Sequence, residues 1–570
     1  PRGREKGGPS EEGAMKWMNV LLTSLTGMVL SGTGAYVLTP PGGVAGPGDT
    51  PGPDRPFVEA AEVGGSFEGG HFSSGSTLRV EGRVGQERLT PGQSTFLLVE
   101  LRGDEAAPAA RSPVDLSLVI DKSGSMRGAR LRHALDAAAG SVQRLSDGDS
   151  VAVLAFDERV QTVVAPTVID NASRGRVLDA LRAIAVGGNT CLSCGVEAGL
   201  DQLGFGRAGA GRVATMLVLS DGEANRGLRD VPGFRLMAGR ARERSVAITT
   251  VGVDVSYNEQ VLSALALESN GRHYFVENDA ALPRVFEGEA QAATSALASG
   301  AEAAVTLAPG VELERVFDRT FTRAGRRINV PLGAFTRGET KTVLLQVRTP
   351  AGGSPGPVAL ADVDVTYHDQ TTRAPGTCRG ALAALAVRDS SAVSTPDPVV
   401  VGRVERSETG SSLTKASELF STGRREEARK LLQNRAGRLQ AEKARTAALP
   451  TKTPAEASIV ARANSDYARQ ERALDDTRRD FEGAAPVAAA RPSPVGGSSP
   501  RRPAASAPPA SEDSYAGKVA AKRAVDTAIP FSKLSPPPLC PRPRRVWLYV
   551  VETEPQRSGY KGPGSCATLW

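Results

Sequence analysis

Cysteine and histidine are scarce in this chain, at 5 and 4 residues of 570. Five cysteines do not build the disulfide framework of a small secreted scaffold, and an odd number leaves at least one thiol unpaired within the chain. So few histidines, with no second cysteine pair at ligand spacing, argue against a Cys/His zinc site. The chain also lacks a phosphate-binding GxxxxGK[ST] loop, an HExxH helix and a GxSxG nucleophile elbow, so enzymatic activity is not indicated. Charge of one sign is not in large excess: the formal net charge is +6. Residues 484–570, with twelve Lys or Arg against five Asp or Glu, more than account for it. Such a basic tail reads as a solvated arm, and no nucleic-acid partner is expected.

What the chain does have is a set of oxygen side chains in three separated segments. Asp121-Lys122-Ser123-Gly124-Ser125 has the spacing D-x-S-x-S, and Thr190 and Asp221 follow far along the chain. Three neutral hydroxyls and two carboxylates suit a hard divalent cation, Mg²⁺ first, with Mn²⁺ or Ca²⁺ as alternatives. Only the carboxylates compensate the ion's charge. A cation held this way stays polarising and keeps a position open for a partner's carboxylate.

The surrounding pattern places these residues at strand ends. Residues 114–120 (VDLSLVI) form an apolar run that stops at Asp121, and 131–145 carry apolar residues at helical spacing. Strand-like runs follow at 150–156, 160–164, 214–219, 246–253 and 272–276, with helical patterns at 173–184, 259–267 and 280–297. Alternating strands and helices predict an α/β fold with a mostly parallel, doubly wound sheet. Ligands bind such sheets at the carboxyl ends of the strands, where Asp121 and Asp221 fall.

Residues 112–297 resemble a von Willebrand factor type A (VWA) domain, through VIDKSGSM, GGNT and LVLSDGEAN. The resemblance implies a metal-ion-dependent adhesion site. Ser123 and Ser125 would bind the metal directly, Asp121 and Asp221 largely through water, and Thr190 directly or through water. It also implies a protein ligand that presents Asp or Glu to the metal.

Cys191 and Cys194 depart from the family pattern just after Thr190. They read as a structural disulfide, as two small semi-buried side chains, or as a redox pair activated by a helix N-terminus. Two other motifs are decoys. Gly204 to Gly209 spells G-x-G-x-x-G but follows a helix and precedes a strand, the reverse of a dinucleotide loop. Arg102-Gly103-Asp104 ends a strand-like run and reads as a turn.

Outside the VWA segment, residues 1–38 read as a leader with an export signal or a membrane anchor at 17–38, and 39–75 as a Pro/Gly-rich linker. Strand-like runs at 76–111 and 298–390 suggest an antiparallel β-sandwich. Similarity to exported bacterial VWA proteins implies that the two segments form one sandwich with the VWA domain inserted. Residues 411–482 read as a charged helical hairpin and 484–570 as a disordered basic tail. The expected function is an exported, periplasmic, cell-surface or membrane-anchored metal-dependent protein-binding module for adhesion or assembly. The competing readings are a cytoplasmic VWA subunit of an ATP-driven metal-insertion or remodelling complex, and a thiol-redox protein acting through Cys191 and Cys194.

Overall fold

The structure, a computed structural model, describes residues 62–63, 66–67, 70–107, 111–203, 211–352, 354–483 and 512–532. Strands β1 (Glu62–Val63) and β2 (Ser66–Phe67) pair only with each other. The next strands are β3 (His71–Ser74), β4 (Leu78–Val84), β5 (Arg88–Leu89) and β6 (Ser94–Gly103). In β4 the burial alternates residue by residue, the mark of a strand with one face on a core.

The chain then enters an α/β unit. Its strands are β7 (Val114–Asp121), β8 (Ser150–Phe156), β9 (Val160–Val168), β10 (Val213–Ser220), β11 (Val246–Val253) and β12 (His273–Val276). Its helices are α1 (Ala129–Arg144), α2 (Asn171–Arg182), α3 (Leu192–Gln202), α4 (Val231–Glu243), α5 (Glu259–Glu268) and α6 (Leu282–Thr294). The sheet order is β12-β11-β10-β7-β8-β9, parallel throughout except for β9, which runs antiparallel to β8 at the edge. Every residue of β7, β8 and β10 is buried, because helices cover both faces. One core packs α1, α2 and α6 on the sheet through Ala134, Val142, Leu181 and Phe286. The other packs α3, α4 and α5 through Val196, Phe234 and Leu265. Central β7 leads to β8 on one side and has β10 on the other, so the crevice at their carboxyl ends is a switch point where ligands bind.

After the unit come β13 (Ala298–Leu307), β14 (Glu312–Phe317), β15 (Thr322–Ala324), β16 (Arg327–Phe335), β17 (Thr340–Arg348), β18 (Gly356–Asp369) and β19 (Ala374–Ala386). These join the earlier strands in two sheets, β15-β16-β13-β18-β19-β5 and β14-β17-β6-β4-β3. Leu97, Val99, Val305, Leu345 and Val363 belong to one shared core, so the sheets form a sandwich interrupted between β6 and β13 by the α/β unit. The middle residue of Arg102-Gly103-Asp104 lies in β6, where an added Cβ would sit 2.2 Å from the Thr336 carbonyl oxygen. The tripeptide ends a paired strand rather than forming an open turn.

Two expectations for the C-terminal part need correction. The hairpin expected at 411–482 is three long helices, α7 (Pro398–Ser421), α8 (Arg425–Ala447) and α9 (Pro454–Gly483). Asp397 starts α7 earlier than the charge pattern suggested by capping Val399 and Val400, with Pro398 in the first turn. The tail expected to be disordered contains helix α10 (Glu512–Ser532), which packs on α7 and α9 through Ala520, Ala521, Ala524 and Ala528. No helix among the described residues is long and apolar enough to cross a membrane. The 17–38 segment and the 204–209 glycine motif lie outside the described residues.

One ion cluster ties α10 to the α/β unit. Glu259 accepts from His273 at 2.7 Å and lies 3.3 Å from Lys522 of α10. Burial opposes ionisation of Glu259, but His273 and Lys522 outweigh it and hold its pKa at about 2, below the ordinary 4.5. A depressed carboxyl pKa adds stability that is complete above pH 4.5 and lost as pH falls through 2. The stability gap between the parent and Glu259→Gln is therefore expected to be on the order of 3 kcal/mol at pH 6. It should narrow to roughly half or less by pH 3 and close only below about pH 2, which denaturant melts at pH 6 and pH 3 will show as a partial loss.

Candidate metal centre

The site forms where β7 and β10 end. Asp121, the last residue of β7, is fully buried. Its carboxylate accepts from the Ser123 N–H at 2.8 Å and from the Ser220 hydroxyl at 2.6 Å. Burial raises its pKa to about 6; the bonds from Ser220 and Ser123 pull it down, and the charge of nearby Asp221 adds to the rise. Asp221, also fully buried, accepts from the Ser125 hydroxyl at 2.7 Å. The Ser123 and Ser125 hydroxyl oxygens lie 3.0 Å apart.

Thr190 arrives on the loop between α2 and α3, which is stitched to the β7 turn. Gly124 N–H donates to Gly188 O, Gly187 N–H to Lys122 O, and Cys191 N–H to Asp157 O. The paired glycines let Asp157 and Glu158 lie close to this loop: a Cβ on Gly187 would lie 1.9 Å from the Asp157 carboxylate, and one on Gly188 2.3 Å from Glu158. Asn225 fixes the loop from the other side, its side-chain oxygen accepting from Thr190 N–H at 3.0 Å. Gly222 then reveals the convergence. A Cβ there would stand 3.4 Å from Ser125 Oγ and 3.7 Å from Thr190 Oγ1, so both hydroxyls border the space that the missing side chain leaves.

Asp121, Ser123, Ser125, Thr190 and Asp221 thus gather at one point, each where the sequence placed it at a strand end or loop. The donor set of hydroxyl and carboxylate oxygens fits a hard divalent cation. The sequence reading did not assign roles to the residues that orient this set. Ser220 holds Asp121, Asn225 holds Thr190, and Arg130, in the first turn of α1, pairs with Asp221 and with Asp254. Of these, only Ser220 stands next to a candidate ligand in sequence; Asn225 and Arg130 reach the site through the fold.

Residues 115–288 match the von Willebrand factor type A domain family. The chain carries a VWA domain. Its curated relatives include the uncharacterised protein sll0103 of Synechocystis, 26% identical over 45% of this chain and 62% of that protein. Another is YfbK of Escherichia coli K12, 26% identical over 38% of each chain. The chain therefore matches less than two thirds of either relative's length. Among solved structures, a von Willebrand factor type A protein from Catenulispora acidiphila superposes with a TM-score of 0.56 at 16% identity, covering 73% of this chain and 92% of that one. That likeness extends the shared fold beyond the VWA domain itself.

Of the readings open for the cysteine pair, the structure contains the disulfide: Cys191 and Cys194 are bonded, with Cα atoms 5.3 Å apart, at the start of α3. Cys191 is buried against the loop that carries Thr190. Cys378 is the free, buried cysteine among the described residues. A loop this short constrains the unfolded chain only modestly. Replacing Cys191 and Cys194 together with Ser is expected to cost about 2 kcal/mol in a urea melt.

Proposed function

We propose that the chain is an exported, metal-ion-dependent protein-binding module with no catalytic activity of its own. The observation that carries this reading is the convergence of Ser125 and Thr190 on the space beside Gly222, with Asp121 and Asp221 behind them. Ser123, Ser125 and Thr190 would hold the cation through neutral oxygens, while Asp121 and Asp221 orient them and balance charge. A bound Mg²⁺ (or Mn²⁺ or Ca²⁺) supplies a hard, incompletely neutralised charge to which an acidic side chain of a protein partner can add. The surrounding loops then choose among partners. Val186 and Leu228, exposed apolar residues on the loops that carry Thr190 and follow Asp221, are suited to that selection.

Export is supported by the apolar segment at 17–38, which serves as a signal or an anchor in this reading. A cytoplasmic VWA subunit would instead require that segment to remain uncleaved and inside the cell. Fractionation of cells expressing the full gene decides between them, since recovery in the cytoplasmic fraction would overturn export. For binding, the full chain is probed with a library of short peptides in Mg²⁺ and in EDTA. Binders are expected to contain Asp or Glu, to lose binding on change to Asn or Gln, and to release in EDTA. Peptide binding indifferent to both changes would overturn the reading.

A further inference from the structure

Helix α10 follows α9 through residues 484–511, a connector rich in Pro, Ala and Ser. The helix docks in two directions. One face lies on α7, where the Ser417 hydroxyl donates to Ala521 O at 2.8 Å and Arg406 to Pro530 O at 3.0 Å. The other edge meets the VWA domain. Lys522 donates to Tyr257 O at 2.9 Å, with its ammonium 3.4 Å from the centre of the Tyr257 ring, and Arg523 pairs with Glu277. At the start of the helix, Tyr515 faces Asp254; burial first, and the Asp254 charge second, raise the phenol's pKa.

Asp254 joins this edge to the metal centre. The Arg130 guanidinium bridges two carboxylates: it pairs with Asp221 Oδ2 and lies 2.8 Å from Asp254 Oδ2. It also donates to Ser125 O at 3.2 Å. Asp254 sits in the left-handed region at φ 64°, just past β11, and its Oδ1 is buried without a hydrogen-bond partner. So one positive side chain touches a residue of the metal centre and, through a single carboxylate, the surface beneath α10.

We propose that cation loading at the metal centre and docking of α10 on the VWA domain oppose one another, with Arg130 and Asp254 as the link. The inference rests on the metal-binding reading above. Asp221 cannot keep a guanidinium on one oxygen and neighbour a divalent cation on the other without bringing like charges together in a partly buried setting. The guanidinium is the mobile partner. It shifts toward Asp254, to which it is already paired, and competes there with Tyr515, which faces the same carboxylate. The VWA edge of α10 then loosens while its α7 face holds. Linkage requires the converse: weakening that edge must raise cation affinity.

The test follows deuterium exchange across residues 512–532 in the full chain, with and without saturating Mn²⁺, beside calorimetric Mn²⁺ affinities. Mn²⁺ is expected to speed exchange in the parent roughly five-fold and to leave it unchanged in Arg130→Gln. Lys522→Ala, at a residue with no hydrogen bond or ion pair to the five candidate ligands, is expected to bind Mn²⁺ roughly five-fold more tightly. Tyr515→Phe repeats that test if Lys522→Ala does not fold. Exchange that is identical with and without bound Mn²⁺, or affinities unmoved by the α10 variants, overturns the coupling and leaves the metal reading intact. A parent chain that binds no Mn²⁺ overturns both.

Discussion

Asp121→Ala is expected to remove measurable Mg²⁺ and Mn²⁺ binding by the full chain, a loss of at least about 100-fold in affinity. Two effects add. The substitution deletes one of only two carboxylates that balance the cation, and it orphans the Ser123 N–H and the Ser220 hydroxyl that the carboxylate accepts. A lost charge-assisted bond in a buried setting is worth about 3 kcal/mol, which corresponds to that factor. Asp121→Asn separates binding from folding. Its amide oxygen still accepts from Ser123 N–H, so the unfolding temperature without metal should stay near the parent's. The parent's unfolding temperature should rise with added Mg²⁺ while the Asn variant's does not, because only a cation that binds the folded chain stabilises it. Equal Mg²⁺ responses from parent and variant would remove Asp121 from the site.

The largest expected loss of stability comes from Phe156→Ala. Phe156 ends β8 with its ring fully buried, and the ring fills the space over Gly195 of α3, where an added Cβ would lie 2.7 Å away. The cost is expected to be about 3–5 kcal/mol, seen as a lower urea midpoint at unchanged slope. The effect should reach the site, because Phe156 O accepts from Lys122 N–H at 2.8 Å and α3 follows directly on Thr190. Cation affinity should fall several-fold in Phe156→Ala. In Phe156→Leu, which keeps most of the volume, both losses should be smaller.

The five candidate oxygen ligands were legible because they fall in three separated segments, each at a strand end or in a loop. The sheet was legible for a related reason: VDLSLVI, SVAVLAF and ATMLVL are predominantly apolar runs, broken only by Asp115, Ser117, Ser150 and Thr215, as a sheet covered on both faces requires. Arg130 was not legible. In sequence it is one more basic residue in the first turn of a charged helix, and only the fold brings it to Asp221 and Asp254. Helix α10 was hidden differently. Its buried face is largely alanine, which carries little hydrophobic contrast, and the Pro-rich stretches on either side masked the helical period. The start of α7 lies before the expected 411, where Asp397 caps the helix and Pro398 in its first turn costs no hydrogen bond.

The way the VWA domain is mounted has a mechanical meaning. The strands that carry its two ends, β6 and β13, are interior strands, each hydrogen-bonded to a neighbour on both sides. A pull on the VWA domain therefore divides between two anchorages, and any component along these strands loads each of them in shear. Failure in shear demands that many ladder bonds break together, whereas an edge strand peels open one bond at a time. The insertion thus gives the metal face a footing that resists tension, because neither of its attachment strands has a free edge from which to unzip.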